Sequence, residues 1–358
     1  MLKAPVIVTG RIVTPAQAEA VLAEGAADLV GMTRALIADP ELPTKAAAGR
    51  AEQIRVCMGS DEGCIDRLYG GAPITCVQNP VIGREREWAE LTPAASPRRV
   101  LVVGGGPAGM EAAWVAAARG HSVKLVERGG RLGGSVLLAA RAPGWEGFDG
   151  VVRWQAAELD RLGVEVVLGV AATASGLLAE KPDAVVVATG AEPRRPYIEG
   201  AERAVLVADV VAGDVTPGRR CVIFDEVGYT PGPKLADSLS EAGHDVEIIT
   251  AQYSLGEEIG TTVRASLIER LLREGVTITV LHRATAVEPD GLVIEHMLTD
   301  ARRLARADTV IFSSGGVARD GLFHELAGKL EVHLAGDAFA PRLLRHATTD
   351  GGRIGRLL

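Results

Sequence analysis

The sequence is poor in aromatic side chains, which make up 4% of its 358 residues, and it holds only seven histidines and four cysteines. Four cysteines in a chain of this length exclude a disulfide-built scaffold. The histidines fall at no ligand or catalytic spacing: His121 and His244 each follow a helix-ending glycine, and His324, His333 and His346 stand apart. No Ser/His/Asp or metal-hydrolase arrangement is present. Basic charge is also short, since the formal net charge is −8 and no Lys/Arg cluster occurs. That excludes the electrostatic footprint of nucleic-acid binding or of an anionic membrane surface. Long apolar runs are missing too. The stretch opening MLKAPVIVTGR is broken at Gly10 and Arg11, too early for a signal peptide or a membrane span, so a cytoplasmic location is expected. With 47% apolar residues and no low-complexity tract, the chain has the material for two or three globular domains.

What is present is an alternation of strand and helix signals. In the first fifty residues, Pro5–Thr9 and Asp28–Gly31 are apolar runs, with helices expected over Pro15–Glu24 and from Thr33 onward. Two such units cannot close a core. Residues 51–98 look irregular, carrying Cys57, Cys64 and Cys76, a turn at Gly70–Gly71, and a Pro/Ser-rich break over Thr92–Arg98 that reads as a linker. From Arg99, short Val/Ile/Leu runs at Val100–Val103, Val123–Val126, Val164–Leu168 and Ala184–Ala188 alternate with helical stretches. This predicts a parallel sheet with crossover helices. A second unit of the same kind starts at Cys221–Phe224, with a helix through Lys234–Ala242 and a strand at Asp245–Thr250. Lone Cys221 reads as core.

The strongest motif opens the first of these units. The strand Arg99–Val103 is followed by the turn GGGPAG, a helix Met110–Arg119 stopped by Gly120, a second strand, and Glu127 at that strand's end. Gly104 permits the tight turn, Gly106 lets a pyrophosphate approach the backbone, and Gly109 lets the helix pack close to the strand. Pro107 and Ala108 complete the turn into the helix N-terminus, where free N–H groups and the dipole favour an anion. Glu127 is placed to accept hydrogen bonds from an adenosine ribose and disfavours a 2′-phosphate. FAD, NAD or ADP is the expected ligand.

RGGRLGGSV after Glu127 resembles the segment following the second strand in flavoproteins of the two-dinucleotide-domain type, which adds Arg128 and Gly133 to the cofactor set. VATG, with Thr189 and Gly190, resembles their strand-to-turn signature. Gly336–Asp337 resembles the motif in which an aspartate bonds the flavin ribityl chain. The whole chain resembles the C-terminal part of the multidomain NADH:flavin oxidoreductases related to old yellow enzyme, which include trimethylamine dehydrogenase, 2,4-dienoyl-CoA reductase and N-demethylases. The resemblance implies an α/β fold in four parts. Residues 1–50 would be the last two βα units of an FMN-bearing TIM barrel, and 51–98 an iron–sulfur-type loop segment. Residues 99–220 with 315–358 would be an FAD- or ADP-binding Rossmann-like domain, and 221–314 a degenerate NAD(P)-binding-like domain. It further implies that Gly10, Arg11, Thr33 and Arg34 hold an FMN phosphate, Thr33 departing from the usual glycine.

In the same family four cysteines recur as C-x2-C-x3-C-x11-C. Cys57, Cys64 and Cys76 occupy the first, third and fourth positions, with Ser60 at the second and Asp61 as an oxygen donor one position off register. Four thiolates normally hold a 4Fe-4S cluster. Three thiolates and a serine leave open a 3Fe-4S centre, an oxygen-ligated 4Fe-4S centre, or none, serine being a poor partner for soft iron–sulfur chemistry. The turn opening the second unit, DEVGYTPGPK, has Asp225 and Glu226 where a phosphate loop would have glycines, so direct NAD(P)H use is not expected. The resulting expectation is the electron-transfer portion of an iron–sulfur flavoprotein oxidoreductase. It would pass electrons between FMN in a barrel, a cluster, and FAD or an external acceptor such as an electron-transferring flavoprotein. A barrel-bearing partner subunit sharing the FMN, or a homo-oligomer, is expected to complete the first fifty residues. The rival reading is a non-redox ADP- or FAD-binding scaffold whose cluster is lost. The family's substrate pocket lies on barrel strands outside these residues, so no catalytic side chain is assigned.

Overall fold

The computed structural model describes residues 4–142 and 144–358. They divide into two compact units, the first formed by residues 1–136, 147–190 and 319–358, the second by residues 137–146 and 191–318. No helix among the described residues is long and apolar enough to cross a membrane.

In the first unit the all-apolar run Val100–Val103 becomes the central strand of a five-stranded parallel sheet. The strand order is Glu331–Leu334, Ala184–Val187, Arg99–Val103, Ser122–Glu127, Glu165–Leu168. Val103 pairs with Val126 on one side and Val187 on the other, so each apolar run is buried on both faces, as a parallel sheet requires. Two small parallel strands, Ile7–Thr9 and Leu29–Gly31, form a separate pair, each followed by a helix, Pro15–Ala23 and Thr33–Ala38.

The segment before Arg99 is not a free linker and does not form domains of its own; it packs within the first unit. Ala94 N donates to the Arg119 carbonyl at 2.8 Å, and Arg119 Nε donates back to the Thr92 carbonyl at 3.1 Å. Trp154 Nε1 donates to the Gln53 carbonyl at 2.9 Å, and Thr348 Oγ1 to the Val77 carbonyl at 2.8 Å. Two short helices, Ile65–Tyr69 and Glu85–Trp88, interrupt the expected irregular stretch.

The second unit holds a second five-stranded parallel sheet, in the order Thr277–Thr279, Asp245–Thr250, Arg220–Asp225, Thr309–Ser313, Val205–Leu206. A three-stranded antiparallel sheet, His282–Glu288, Gly291–His296 and Arg302–Arg306, adds to it. Cys221 is buried in its core. The domain boundary expected at residue 220 falls near 190 instead. Val205–Leu206 pairs with Ile311–Phe312 of this sheet, and Ala191–Pro193 pairs with Gly316–Ala318, so pairing draws both stretches into the second unit. Residues 137–146 follow, tied by Arg141 Nη1 to the Ala212 carbonyl at 2.7 Å.

The largest helix–helix contact in the first unit sets the nucleotide motif in place. The C-terminal helix Leu344–Leu357 carries Gly351, Gly352 and Gly355, each costing a helix about 1 kcal/mol relative to alanine. Gly351 and Gly355 lie against the helix Pro107–Ala118, itself built largely of alanine, while Gly352 faces Pro80 and Trp88. A Cβ at Gly351 would overlap the Ala108 carbonyl oxygen, and one at Gly355 would lie 2.7 Å from Val115 Cβ. Close backbone approach therefore decides these positions over helix propensity. Gly351→Ala is expected to destabilise the chain by about 1–3 kcal/mol through overpacking. Equilibrium unfolding checks this: a variant as stable as the parent, as propensity alone would have it, refutes the packing account.

Candidate functional site

The predicted cofactor residues of the first unit gather at the carboxyl end of its sheet. Gly104 N donates to the Val126 carbonyl at 2.8 Å, and with φ +110° Gly104 adopts backbone closed to ordinary side chains. A Cβ there would also overlap the Ala188 carbonyl oxygen, just before Thr189 and Gly190. Gly109 is fixed by the same crowding, since its Cβ would overlap the Gly104 carbonyl oxygen. Gly106 differs: a Cβ there would meet nothing within 4 Å. It caps the helix Pro107–Ala118 with Pro107 in the first turn and no side-chain cap, so the helix N-terminus opens onto that space. Glu127 closes one side. Its Oε2 accepts from Gly105 N at 2.7 Å and its Oε1 from Gly129 N at 2.6 Å, which holds the carboxylate at the turn. Gly133 N donates to the Gly105 carbonyl at 2.8 Å, folding the RLGG segment back onto the loop. Arg128 is exposed.

The distal motifs meet the same place. A Cβ at Gly336 would lie 2.7 Å from Ala108 Cβ, so the Gly336–Asp337 turn sits on the start of the nucleotide helix. Burial pushes the Asp337 carboxyl upward, while Arg342 N donates to it at 3.0 Å. Thr189 Oγ1 donates to the Arg319 carbonyl, and Arg319 N donates to the Gly190 carbonyl at 2.9 Å.

Sequence reasoning missed a buried polar group behind that helix. Glu111 is fully buried and its carboxyl is raised by burial; Gln155 Nε2 donates to it at 2.8 Å and to the Pro107 carbonyl at 3.2 Å. The Arg55 guanidinium lies 3.9 Å from the Trp154 ring centroid and 5.3 Å from that of Trp114. The only sequence signal was a glutamate interrupting an apolar helix.

The residues assigned to an FMN phosphate are placed otherwise than a bare phosphate loop. Gly10 and Thr33 are exposed. Arg11 Nη2 donates to the Met58 carbonyl at 2.9 Å, its guanidinium lying over Gly59, and Arg34 Nη1 pairs with Asp61 Oδ1 at 2.6 Å. Both arginines thus reach the cysteine segment. Asp61, the partner of Arg34, has φ +58°, in the left-handed region. Cys57, Cys64 and Cys76 are free thiols. Burial above all pushes Cys64 up to about 11 and raises Cys76. Among the described residues no group of three or more His, Cys, Asp or Glu side chains is disposed to hold a metal ion. The cluster implied by the resemblance does not fit this arrangement: Ser60 stands at the second ligand position, and the neighbouring oxygen donor is taken by Arg34.

In the second unit Asp225 ends its strand fully buried, Ser313 Oγ donating to Oδ1 at 2.9 Å. Burial is the main cause that pushes its carboxyl up to about 6; the neighbouring Glu226 charge adds to this, and the Ser313, Val227 and Gly228 donors oppose it. Glu226 pairs with Arg194 at 2.7 Å.

Residues 98–337 match the family described as pyridine nucleotide-disulphide oxidoreductase, and residues 1–53 match the NADH:flavin oxidoreductase / NADH oxidase family. The chain belongs to the pyridine nucleotide-disulphide oxidoreductase family, joined to the end of an NADH:flavin oxidoreductase domain. It is 39% identical to an N,N-dimethylglycine/sarcosine dehydrogenase of Chromohalobacter salexigens, covering 91% of this chain and 49% of that protein. It is 36% identical to an NADH oxidase of Thermoanaerobacter brockii, covering 98% and 55%. The structure of a histamine dehydrogenase from Rhizobium sp. 4-9 superposes with a TM-score of 0.93 at 28% identity, covering 99% of this chain and 55% of that one. The chain spans about half the length of the curated relatives it matches. These relatives make it a member of a family of flavin-dependent oxidoreductases.

Two outcomes follow from the site. A carboxyl raised in the folded state favours folding below its unfolded value and loses that contribution as pH rises through the folded value. For Asp225, at about 6 against an ordinary 3.8, the loss amounts to roughly 3 kcal/mol by pH 8. Asp225→Asn should therefore raise the thermal midpoint at pH 8, and the gain should shrink toward pH 5; an equal or growing gain on acidification contradicts the assignment. Ser60→Cys should raise the iron retained after anaerobic reconstitution toward about four per chain, the content of a four-thiolate cluster. Iron and sulfide analysis decides this, and a robust four-iron cluster in the unsubstituted chain would show that Ser60 is no obstacle.

Proposed function

We propose that this chain is the electron-transfer portion of a flavoprotein oxidoreductase, its first unit binding FAD, or ADP in its place. The observation that carries the reading is the open space at Gly106, set at an uncapped helix N-terminus between Glu127 and the Gly336–Asp337 turn. The residues fit the group. Backbone N–H groups of Pro107–Ala118's first turn would receive the diphosphate, Glu127 the adenosine ribose, and Asp337 the ribityl chain, with Gly104, Gly109, Arg128, Gly133, Thr189 and Gly190 shaping the walls. Bound FAD supplies a centre that takes up and releases electrons. The raised carboxyl of Asp337 suits a group meant to exchange hydrogen bonds with hydroxyls.

Electrons would come from FMN on a barrel that residues 1–50 help to form, and leave to FAD or to an external acceptor such as an electron-transferring flavoprotein. Ile7 is 64% and Leu29 55% exposed on the two small parallel strands, apolar surface that a barrel of neighbouring strands and helices would cover. A barrel-bearing FMN subunit or a second copy of the chain would serve. Arg11 and Arg34, with Gly10 and Thr33, would then share the FMN phosphate while keeping their contacts to the cysteine segment. No electron is routed through that segment here, because its ligands do not fit a cluster. The reaction would be of the amine dehydrogenase/demethylase or the enoate reductase type; Asp225 and Glu226 in the second unit support the former, with NADH and NADPH unused there. Ser60 at the second ligand position favours one alternative, a nucleotide-binding scaffold without redox turnover.

Gly106→Val tests the reading cleanly, since the added side chain would enter space the protein leaves open. The variant should fold like the parent yet lose FAD or ADP by at least tenfold in affinity, measured by calorimetry and by native mass spectrometry. Reversible reduction of the bound flavin separates electron transfer from a scaffold. A parent chain that takes up no adenine nucleotide after reconstitution would end the proposal.

A further inference from the structure

The second unit repeats the first unit's nucleotide-binding geometry with one substitution of charge. Its strand Arg220–Asp225 leads through a turn into the helix Pro231–Glu241, and the next strand, Asp245–Thr250, returns parallel beside the first. On the other side lies Thr309–Ser313, also parallel. The strand order reverses at Arg220–Asp225, and the crevice outside the carboxyl ends of strands at such a point is where open α/β sheets take ligands. We infer that Asp225 is a tethered anion, seated where a dinucleotide-binding turn takes a diphosphate, and that it closes this unit to NADH and NADPH.

Four observations seat the carboxylate there. Asp225 is the last residue of the strand and is wholly buried. Its Oδ1 collects the turn's own donors, Val227 N at 3.3 Å and Gly228 N at 3.4 Å, together with Ser313 Oγ from the strand across the crevice. A Cβ added at Gly232 would lie 3.2 Å from Asp225 Cγ, so the carboxylate rests on the first turn of the helix. Thr230, at the N-cap of that helix, makes no side-chain capping bond, which leaves Asp225 as the anion facing the positive end of the helix dipole. Oδ2, by contrast, is buried without a hydrogen-bond partner. An acceptor left unsatisfied in the interior is costly, and the helix dipole and turn amides help to offset that cost. In the first unit the residue that follows the strand is Gly104, which carries no side chain, and a Cβ on Gly106 at the end of the turn would meet nothing. One seat is open and the other is filled from within the chain.

A phosphate entering the second crevice would meet a fixed negative charge within a few ångströms, enough to weaken binding by roughly tenfold or more. Glu226 on the adjoining position is paired with Arg194, so Asp225 carries the charge that a phosphate would meet. The inference rests on the reading that the second unit does not use NADH or NADPH, and goes further in assigning that exclusion to one residue.

The test uses the full chain with its first unit saturated by FAD, and NADH as the calorimetric probe. The parent should bind NADH with a Kd of roughly a millimolar or weaker. Asp225→Gly, which empties the seat, should bind at least about tenfold tighter, and Asp225→Asn, which keeps the shape and removes the charge, several-fold tighter; thermal melts report that each variant is folded. If Asp225→Gly does not fold, the isosteric asparagine variant decides alone. Folded variants that bind NADH no better than a weakly binding parent overturn the role of Asp225. Micromolar binding by the parent itself overturns the underlying reading, and the inference falls with it.

Discussion

The first unit depends on backbone meeting backbone without side chains between. The helix Pro107–Ala118 is held on one side by the crossing of Gly104 and Gly109 at the sheet and on the other by Gly351 and Gly355 of the C-terminal helix. Side chains at these places would collide with carbonyl oxygens or with Val115, so the helix has little room to shift. That fixes the direction of its N-terminus, and with it the position at which an anion gains from the dipole. Gly336, against Ala108, belongs to the same constraint. The motif residues separated by more than two hundred positions in sequence are one site because this packing brings both ends of the first unit together.

The two units then differ in what stands at the turn between the first strand and its helix. At Gly106 the first unit leaves the helix N-terminus open, and Glu127 is turned onto Gly105 and Gly129 rather than into the opening. The second unit places a carboxylate against its helix and braces the adjoining Glu226 with Arg194. An anion attracted by one would be repelled by the other, although the strand and helix directions are the same. Fold likeness therefore speaks to architecture, while the proposed difference in dinucleotide binding rests on the charge at the turn.

The parts legible in the sequence were those written in local pattern. The buried runs Val100–Val103 and Ala184–Val187 and the glycine turn specify strand, loop and helix by themselves, and the helix from Pro15 begins with a capping box at Thr14 and Gln17. The domain boundary was not legible, because the two-residue strand Val205–Leu206 is defined only by its partner about a hundred residues away, Ile311–Phe312. The pair Arg34–Asp61 was hidden for the same reason: each residue alone looked like a ligand, one for phosphate and one for iron, and only the fold shows that they answer each other. The glycines of the C-terminal helix read as poor helix formers until the neighbouring helix is in view.

The cysteine segment is tied into the first unit by hydrogen bonds of its own. Asp39, nearly buried, accepts from Lys45 Nζ at 2.7 Å and from Arg55 N at 2.9 Å, and Asn79 Nδ2 donates to the Ala38 carbonyl at 3.2 Å. Gln78 Nε2 donates to the Val56 carbonyl at 2.7 Å, Arg11 reaches Met58, and Arg345 reaches the Glu62 carbonyl at 3.4 Å. The segment is therefore anchored to the N-terminal βα units at one end and to the C-terminal helix at the other. The same network carries Arg11 and Arg34 on one side and Arg55, stacked on Trp154 beneath the nucleotide helix, on the other. A physical link between the residues proposed for an FMN phosphate and those proposed for FAD runs through this protein framework.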